Sequence, residues 1–179
     1  RAVITVGTHA DDTEAINQYQ VAYNLSADSW SGFFGQNNNW YSGSNNTTYY
    51  LQDNWVAATY TNSYTTLLSS WKKIKQESEK NETPEIFALA QILKISAWHK
   101  TLESFGPIPY THAGEPALVI PFDSEQVAFN AMFADLTAAI EALTVRAEQG
   151  ATIVADYDAV YAGDTRKWVK YANSLMLRL

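Results

Sequence analysis

Apolar residues recur at steps of three and four in four stretches that proline and glycine separate, and that punctuation restricts the chain to a set of packed helices. Val56, Tyr60, Ser63, Leu67, Trp71 and Ile74 share one face, which predicts a helix from Asp53 to about Glu79. Thr83-Pro84-Glu85 opens the next, with a cap, a proline at the first helical position and an acidic first turn. It runs to about Phe105 with Ile86, Ala90, Leu93, Ala97 and Trp98 inward, and Gly106-Pro107 stops it. Pro107 and Pro109, followed by Pro116 and Pro121, hold the next segment irregular as far as Phe122. Asp123 is the expected cap of the fourth helix, with Gln126 placed as a capping-box partner. Its stripe is Phe129, Met132, Phe133, Leu136, Ile140 and Leu143, and Gly150 ends it. Asp164 is the expected cap of a fifth helix, with Trp168, Ala172, Leu175 and Leu179 on one face.

The remainder is less regular. A first helix is expected from Asp12 or Thr13 to about Asn24, with Asp11, Asp12 and Glu14 at its positive end. Ala2–Val6 and Thr152–Val154 are short candidate strands. The second helix with the third, and the fourth with the fifth, would make antiparallel hairpins of tetratricopeptide type, though their sequences are not alike. The fold class expected is therefore mostly α: tetratricopeptide-like hairpins with long irregular loops, forming a single domain over 1–179. The stripe of the fifth helix is still running at Leu179, so the chain is expected to be the N-terminal part of something longer.

Composition narrows the function. Twelve Lys+Arg against nineteen Asp+Glu give a net charge of −7, which speaks against nucleic acid or an anionic membrane surface as partner. There is no cysteine, hence no disulfide, thiolate metal site or cysteine nucleophile. No run of about 18 uncharged apolar residues is present to cross a bilayer as a helix. No nucleophile elbow, zinc-protease or phosphate-loop motif occurs, and no cofactor motif either. His9, Asp11, Asp12 and Glu14 read as an acidic helix start beside an ordinary histidine rather than a metal site. His99 and Glu103, spaced to touch on one helix face, carry no catalytic assignment.

One stretch departs from the rest. Ser29–Trp71 holds a single charge, Asp53, where the chain's 17% charged content would place about seven in 43 residues. Ten aromatics fall within 35 positions of it, from Trp30 to Tyr64, about twice the chain average. Amides and small hydroxyls fill the gaps. A pyranose has an apolar C–H face that a flat ring can cover and a rim of hydroxyls that an Asn amide, with two donors and an acceptor, can satisfy. A neutral surface avoids desolvating charge against a neutral ligand. On the loop expected from Ser29 to Gln52, Trp40 and Tyr41 with Asn38, Asn39, Asn45 and Asn46 are the candidate oligosaccharide-binding residues. Trp55, Tyr60 and Tyr64 are expected to be core.

The tail from Asp158 to Leu179, with Tyr161-Ala162-Gly163-Asp164, Lys167-Trp168 and Ala172-Asn173-Ser174-Leu175-Met176-Leu177-Arg178, resembles the signature of the SusD/RagB family. Gly106-Pro107-Ile108-Pro109-Tyr110 resembles that family's turn, and Tyr19-Gln20 with Asn24–Asp28 and Gly32 is similar to its opening helix and loop. The resemblance implies a mostly helical fold with four tetratricopeptide-like hairpins. It also implies lipid anchoring at the outer membrane through an N-terminal cysteine that this chain lacks, as a trimmed start would. Binding of glycans or peptides without catalysis, and a SusC-like TonB-dependent transporter as partner, are implied as well. The tail signature reads as packing and capping, so the site residues rest on their chemistry alone. A peptide- or protein-docking helical scaffold is the alternative function.

Overall fold

The computed structural model describes residues 20–179. The strand expected at Ala2–Val6, most of the first helix, and His9, Asp11, Asp12 and Glu14 lie outside the described residues. The chain forms two compact units, one of residues 2–66 and one of residues 67–179. Among the described residues the structure is mostly helical, and β pairing is confined to isolated bridges, Ile108 with Asp123 and Thr152 with Asp164. The strand expected at Thr152–Val154 thus amounts to one bridge.

In the first unit a π-helical segment spans Gln20–Asp28, beyond the end at Asn24 expected from the sequence. Helix α1 (Asp53–Thr61) packs on it. Ala22 and Trp55 are buried, and the Thr59 hydroxyl donates to the Ala22 carbonyl.

The single helix expected over 53–79 is interrupted. A π-helical segment, Asn62–Leu67, separates α1 from α2 (Leu68–Lys80). The Ser63 and Thr65 hydroxyls donate back to the carbonyls of Thr59 and Thr61, at 2.9 and 2.6 Å. Such back-bonding competes with the regular backbone ladder and loosens it where the wider turn occurs.

The second unit is α2 followed by α3 (Pro84–Phe105), α4 (Glu125–Glu148) and α5 (Thr165–Arg178). Helices α2 and α3 join through a short turn. At the far end of α4, Arg146 donates to Glu85 at the start of α3 at 2.9 Å, which makes α3 and α4 antiparallel. The Ser96 and Tyr171 hydroxyls meet at 2.5 Å and Arg178 pairs with Glu103 at 2.9 Å, so α3 and α5 run in the same direction. The core includes the fully buried Ile92, Ile95, Trp98 and Leu102 of α3, Met132, Leu136 and Leu143 of α4, and Trp168 and Ala172 of α5. Each of the aliphatic Ile, Leu and Met side chains among them contributes about 1.5–3 kcal/mol by leaving water.

Helix α3 buries more than the single face expected. Of Ile86, Ala90, Leu93, Ala97 and Trp98, only Ala90 and Trp98 are buried, while Glu85, Gln91, Lys94 and His99 are buried too. Neighbours on several sides (α2, α4 and α5) enclose this helix. Helix α4 is long and apolar enough by composition to cross a bilayer. It carries Asp135 and Glu141 and buries Ala128, Met132, Leu136, Ala139 and Leu143 between its neighbours, as a bundle helix does.

Thr83 stands at the N-cap position of α3 as expected, but its side chain makes no capping bond. Ser124, not Asp123, caps α4, its hydroxyl accepting from the Val127 N–H at 3.3 Å. The Asp123 carboxylate instead accepts from the N–H groups of Tyr110 (2.8 Å) and Thr111 (2.7 Å) and from the Thr111 hydroxyl (2.8 Å), closing the proline-rich loop. Asp164 caps α5 as expected, accepting from the Lys167 N–H. Before it, the buried Asp158 carboxylate accepts from the N–H groups of Val160, Tyr161 and Gly163 and from the Trp168 indole at 2.6 Å. Asp158 thereby ties the loop before α5 to Trp168 on that helix.

Candidate functional site

The loop between the π-helical segment and α1 is built around two buried amides. Asn45 and Asn46 are both fully buried. The Asn45 side-chain Oδ1 accepts from the Thr47 N–H at 3.0 Å, and its NH2 donates to Gln36 Oε1 at 2.8 Å and the Trp40 carbonyl at 3.0 Å. The Asn45 N–H donates to the Thr48 hydroxyl, completing a capping box on a 3-10 turn at Asn46–Thr48. The Asn46 NH2 donates to the Leu25 carbonyl and ties the loop to the π-helical segment. Their hydrogen-bonding groups thus hold the loop, and neither amide is presented to solvent. The expectation that Asn45 and Asn46 meet a ligand is corrected on that ground. The amide-rich run needed internal acceptors and donors to keep its own backbone satisfied.

Trp40, Tyr41, Asn38 and Asn39 are placed differently. Trp40 is half-buried, its ring 5.0 Å from that of Trp55. Tyr41 is 60% exposed and stands edge-on to Trp55 at 5.1 Å and to Trp40 at 6.1 Å. Trp55 is buried beneath them, as expected of a helix residue. Tyr41 and Ser42 both adopt left-handed backbone, with φ of 50° and 52°. That conformation costs a non-glycine residue about 1–2 kcal/mol. The Asn45 bond to the Trp40 carbonyl and the ring stack hold the turn in that conformation, so Tyr41 is kept outward on a pre-set turn. Asn38 and Asn39 are exposed, and their amides have no hydrogen bond to other described residues.

The structure adds aromatics that the motif reading did not assign to the site. Phe33, Phe34, Tyr49 and Tyr50 are 87%, 53%, 68% and 54% exposed. Tyr49 packs against Trp30 at 5.5 Å and is itself left-handed at φ 59°. Their common signal is membership of the charge-poor aromatic stretch. These rings on one loop therefore lie outside the core.

His99 and Glu103 do not pair. His99 is buried with Nδ1 2.9 Å from the Ile95 carbonyl, and burial lowers its pKa. Glu103 is engaged by Arg178 instead.

A family model described as SusD-like, SusD and RagB outer membrane lipoprotein, matches residues 1–179. The chain belongs to the SusD-like family. A SusD homologue from Bacteroides uniformis superposes with a TM-score of 0.83 at 32% identity, over 99% of this chain and 35% of that one. A chitin-binding SusD homologue from Flavobacterium johnsoniae gives a TM-score of 0.80 at 35% identity, over 89% of this chain and 33% of that one. A SusD-like protein from Bacteroides thetaiotaomicron gives 0.79 at 28% identity, over 98% and 35%. The chain thus spans about a third of the length of these SusD-like structures. No curated protein sequence matches it. SusD-like proteins are outer-membrane lipoproteins, which assigns this chain to the outer membrane.

Proposed function

We propose that this SusD-like chain contributes to binding an oligosaccharide without turning it over, and to its delivery to a TonB-dependent outer-membrane transporter. The observation that carries the reading is Tyr41, held outward on a left-handed turn beside Trp40, with the open amides of Asn38 and Asn39 next to it. A ring of that kind covers the C–H face of a sugar, and the amides answer its hydroxyls. The absence of charge across the loop suits a neutral glycan. The relative from Flavobacterium johnsoniae that is named as chitin-binding supports the class of ligand and makes chitin the first polysaccharide to try. An N-acetyl group adds a methyl for the aromatics and a carbonyl for an Asn NH2. Affinity is expected between micromolar and millimolar, because water competes for every hydroxyl.

Native electrophoresis of the intact protein through gels carrying soluble chitin derivatives or other polysaccharides tests this. Retardation in one gel, reduced in Tyr41→Ala, supports the reading. Retardation unchanged in Tyr41→Ala moves the site away from this loop. No retardation in any gel favours a docking scaffold for peptide or protein.

A further inference from the structure

Away from that loop, the second unit contains a pocket of about 520 Å3 between α2, α3 and α4. Lys94 of α3 lines it and is only 3% exposed. Three rings surround its ammonium: Trp71 at 4.2 Å, Tyr110 at 4.3 Å and Trp98 at 5.1 Å from the ring centroids. Ring faces stabilise the charge but accept no conventional hydrogen bond, and an ammonium carries three donors. Among the described residues none accepts from Lys94. One turn earlier, the buried Gln91 uses its carbonyl to accept from the Trp71 indole at 2.6 Å. That leaves the Gln91 NH2 as a second donor without an acceptor among the described residues.

The opposite wall is small and apolar. Ala131, Ala138 and Ala142 of α4 leave the volume open, and Phe87 closes one side. Asp135 also borders the pocket, its carboxylate accepting the Tyr110 hydroxyl at 2.7 Å. Two donors from one helix, one charged, face a cavity of small-molecule size.

We propose that this pocket is a second binding site, for a small monocarboxylate whose two oxygens meet Lys94 and Gln91 and whose body lies along the alanine wall. A carboxylate matches two donors with two acceptors, and charge assistance strengthens the contact to Lys94 in this desolvated position. A phosphate would bring a second negative charge toward Asp135, which disfavours it. The acid could be free, or it could be a uronic acid residue of a glycan. The site does not depend on the aromatic loop.

The test is NMR of the intact protein carrying 13C-labelled lysine, with the Lys94 Cε signal assigned by its loss in Lys94→Met. Benzoate represents a free acid and glucuronate an acidic sugar, with benzamide and glucose as neutral counterparts. A saturable shift of the Lys94 signal with benzoate, glucuronate or both, and with neither neutral compound, is the expected result. Which acid acts identifies the source. Ala138→Leu, at an exposed position that need not disturb the core, should weaken that binding about tenfold or more by filling the pocket. Gln91→Leu should weaken it by about as much, through loss of one hydrogen bond to a charged group. No response of Lys94 to either acid overturns the proposal, as does an equal response to the neutral compounds. A response that Ala138→Leu leaves intact overturns it too.

Discussion

Raising the pH from 8 to 10 should stabilise this protein through one lysine. Burial lowers the Lys94 pKa from 10.5 to about 8, with Asp135 opposing that shift and Lys75 adding to it. The charged and titratable groups facing it are Lys75 of α2, Asp135 of α4 and Tyr110 of the proline-rich loop. Below pH 8 both the folded and unfolded states hold the proton, and the folded state bears the whole cost of burying the charge. Between pH 8 and 10.5 the unfolded chain keeps its proton while folded Lys94 releases it, so stability rises with pH. The difference of about 2.5 units corresponds to about 3 kcal/mol over the whole window. Burial holds the Tyr110 pKa well above 10, so its opposing contribution begins only above pH 10. The assay is the Cε titration of 13C-labelled lysine, paired with urea unfolding at pH 8, 9 and 10. One lysine should titrate near 8, and Lys94→Met should remove both that titration and the accompanying gain in stability. If every lysine titrates above pH 10, or if the parent and Lys94→Met share one pH profile, the reasoning is refuted.

Other outcomes follow from the loops. Asn45→Ala should destabilise the first unit by about 1–3 kcal/mol, because the Gln36 carbonyl and the Trp40 carbonyl lose a donor in a buried setting; thermal unfolding measures it. Asp158→Ala should cost about 3 kcal/mol or more, since it strips acceptors from three backbone N–H groups and the Trp168 indole. Burial raises the Asp158 pKa, but the bonds from Trp168, Gly163, Val160 and Tyr161 outweigh it and hold the pKa below 3.8. Its stabilising contribution is therefore present above the ordinary carboxylate pKa and lost as pH falls through the lower folded value, which acid unfolding of the parent against Asp158→Asn would show. Gly163→Ala should be poorly tolerated, because φ is +78° and the new methyl would meet the Ile153 carbonyl; a loss of more than about 2 kcal/mol by urea unfolding is expected.

Local signals announced some elements well. Thr83-Pro84 and Gly106 bound α3 where expected, and Asp164 caps α5. These ends depend on neighbours within a turn, which a single sequence displays. Asp123 is not the cap that its position predicts, because its carboxylate reaches back to Tyr110 and Thr111, twelve to thirteen residues away. Nothing nearby in the sequence announces that closure. Lys94 stands between Leu93 and Ile95 in a stretch that reads as an amphipathic helix, where a lysine belongs on the wet face. Three enclosing rings, from Trp71, Trp98 and Tyr110, bury it instead. On the aromatic loop, chemistry singled out Trp40 and Tyr41 but could not divide the asparagines. Asn38 and Asn39 are exposed while Asn45 and Asn46 are buried, a distinction set by the turn geometry.

The most direct test of glycan binding at this loop is calorimetric titration of the intact protein and its Tyr41→Ala variant with the oligosaccharide of whichever polysaccharide retards it. Tyr41 is exposed and its ring meets those of Trp40 and Trp55 edge-on, so the variant should keep its fold. Loss of one stacking surface should weaken binding about tenfold, with the melting temperature nearly unchanged. Equal affinity in the two proteins would contradict the account.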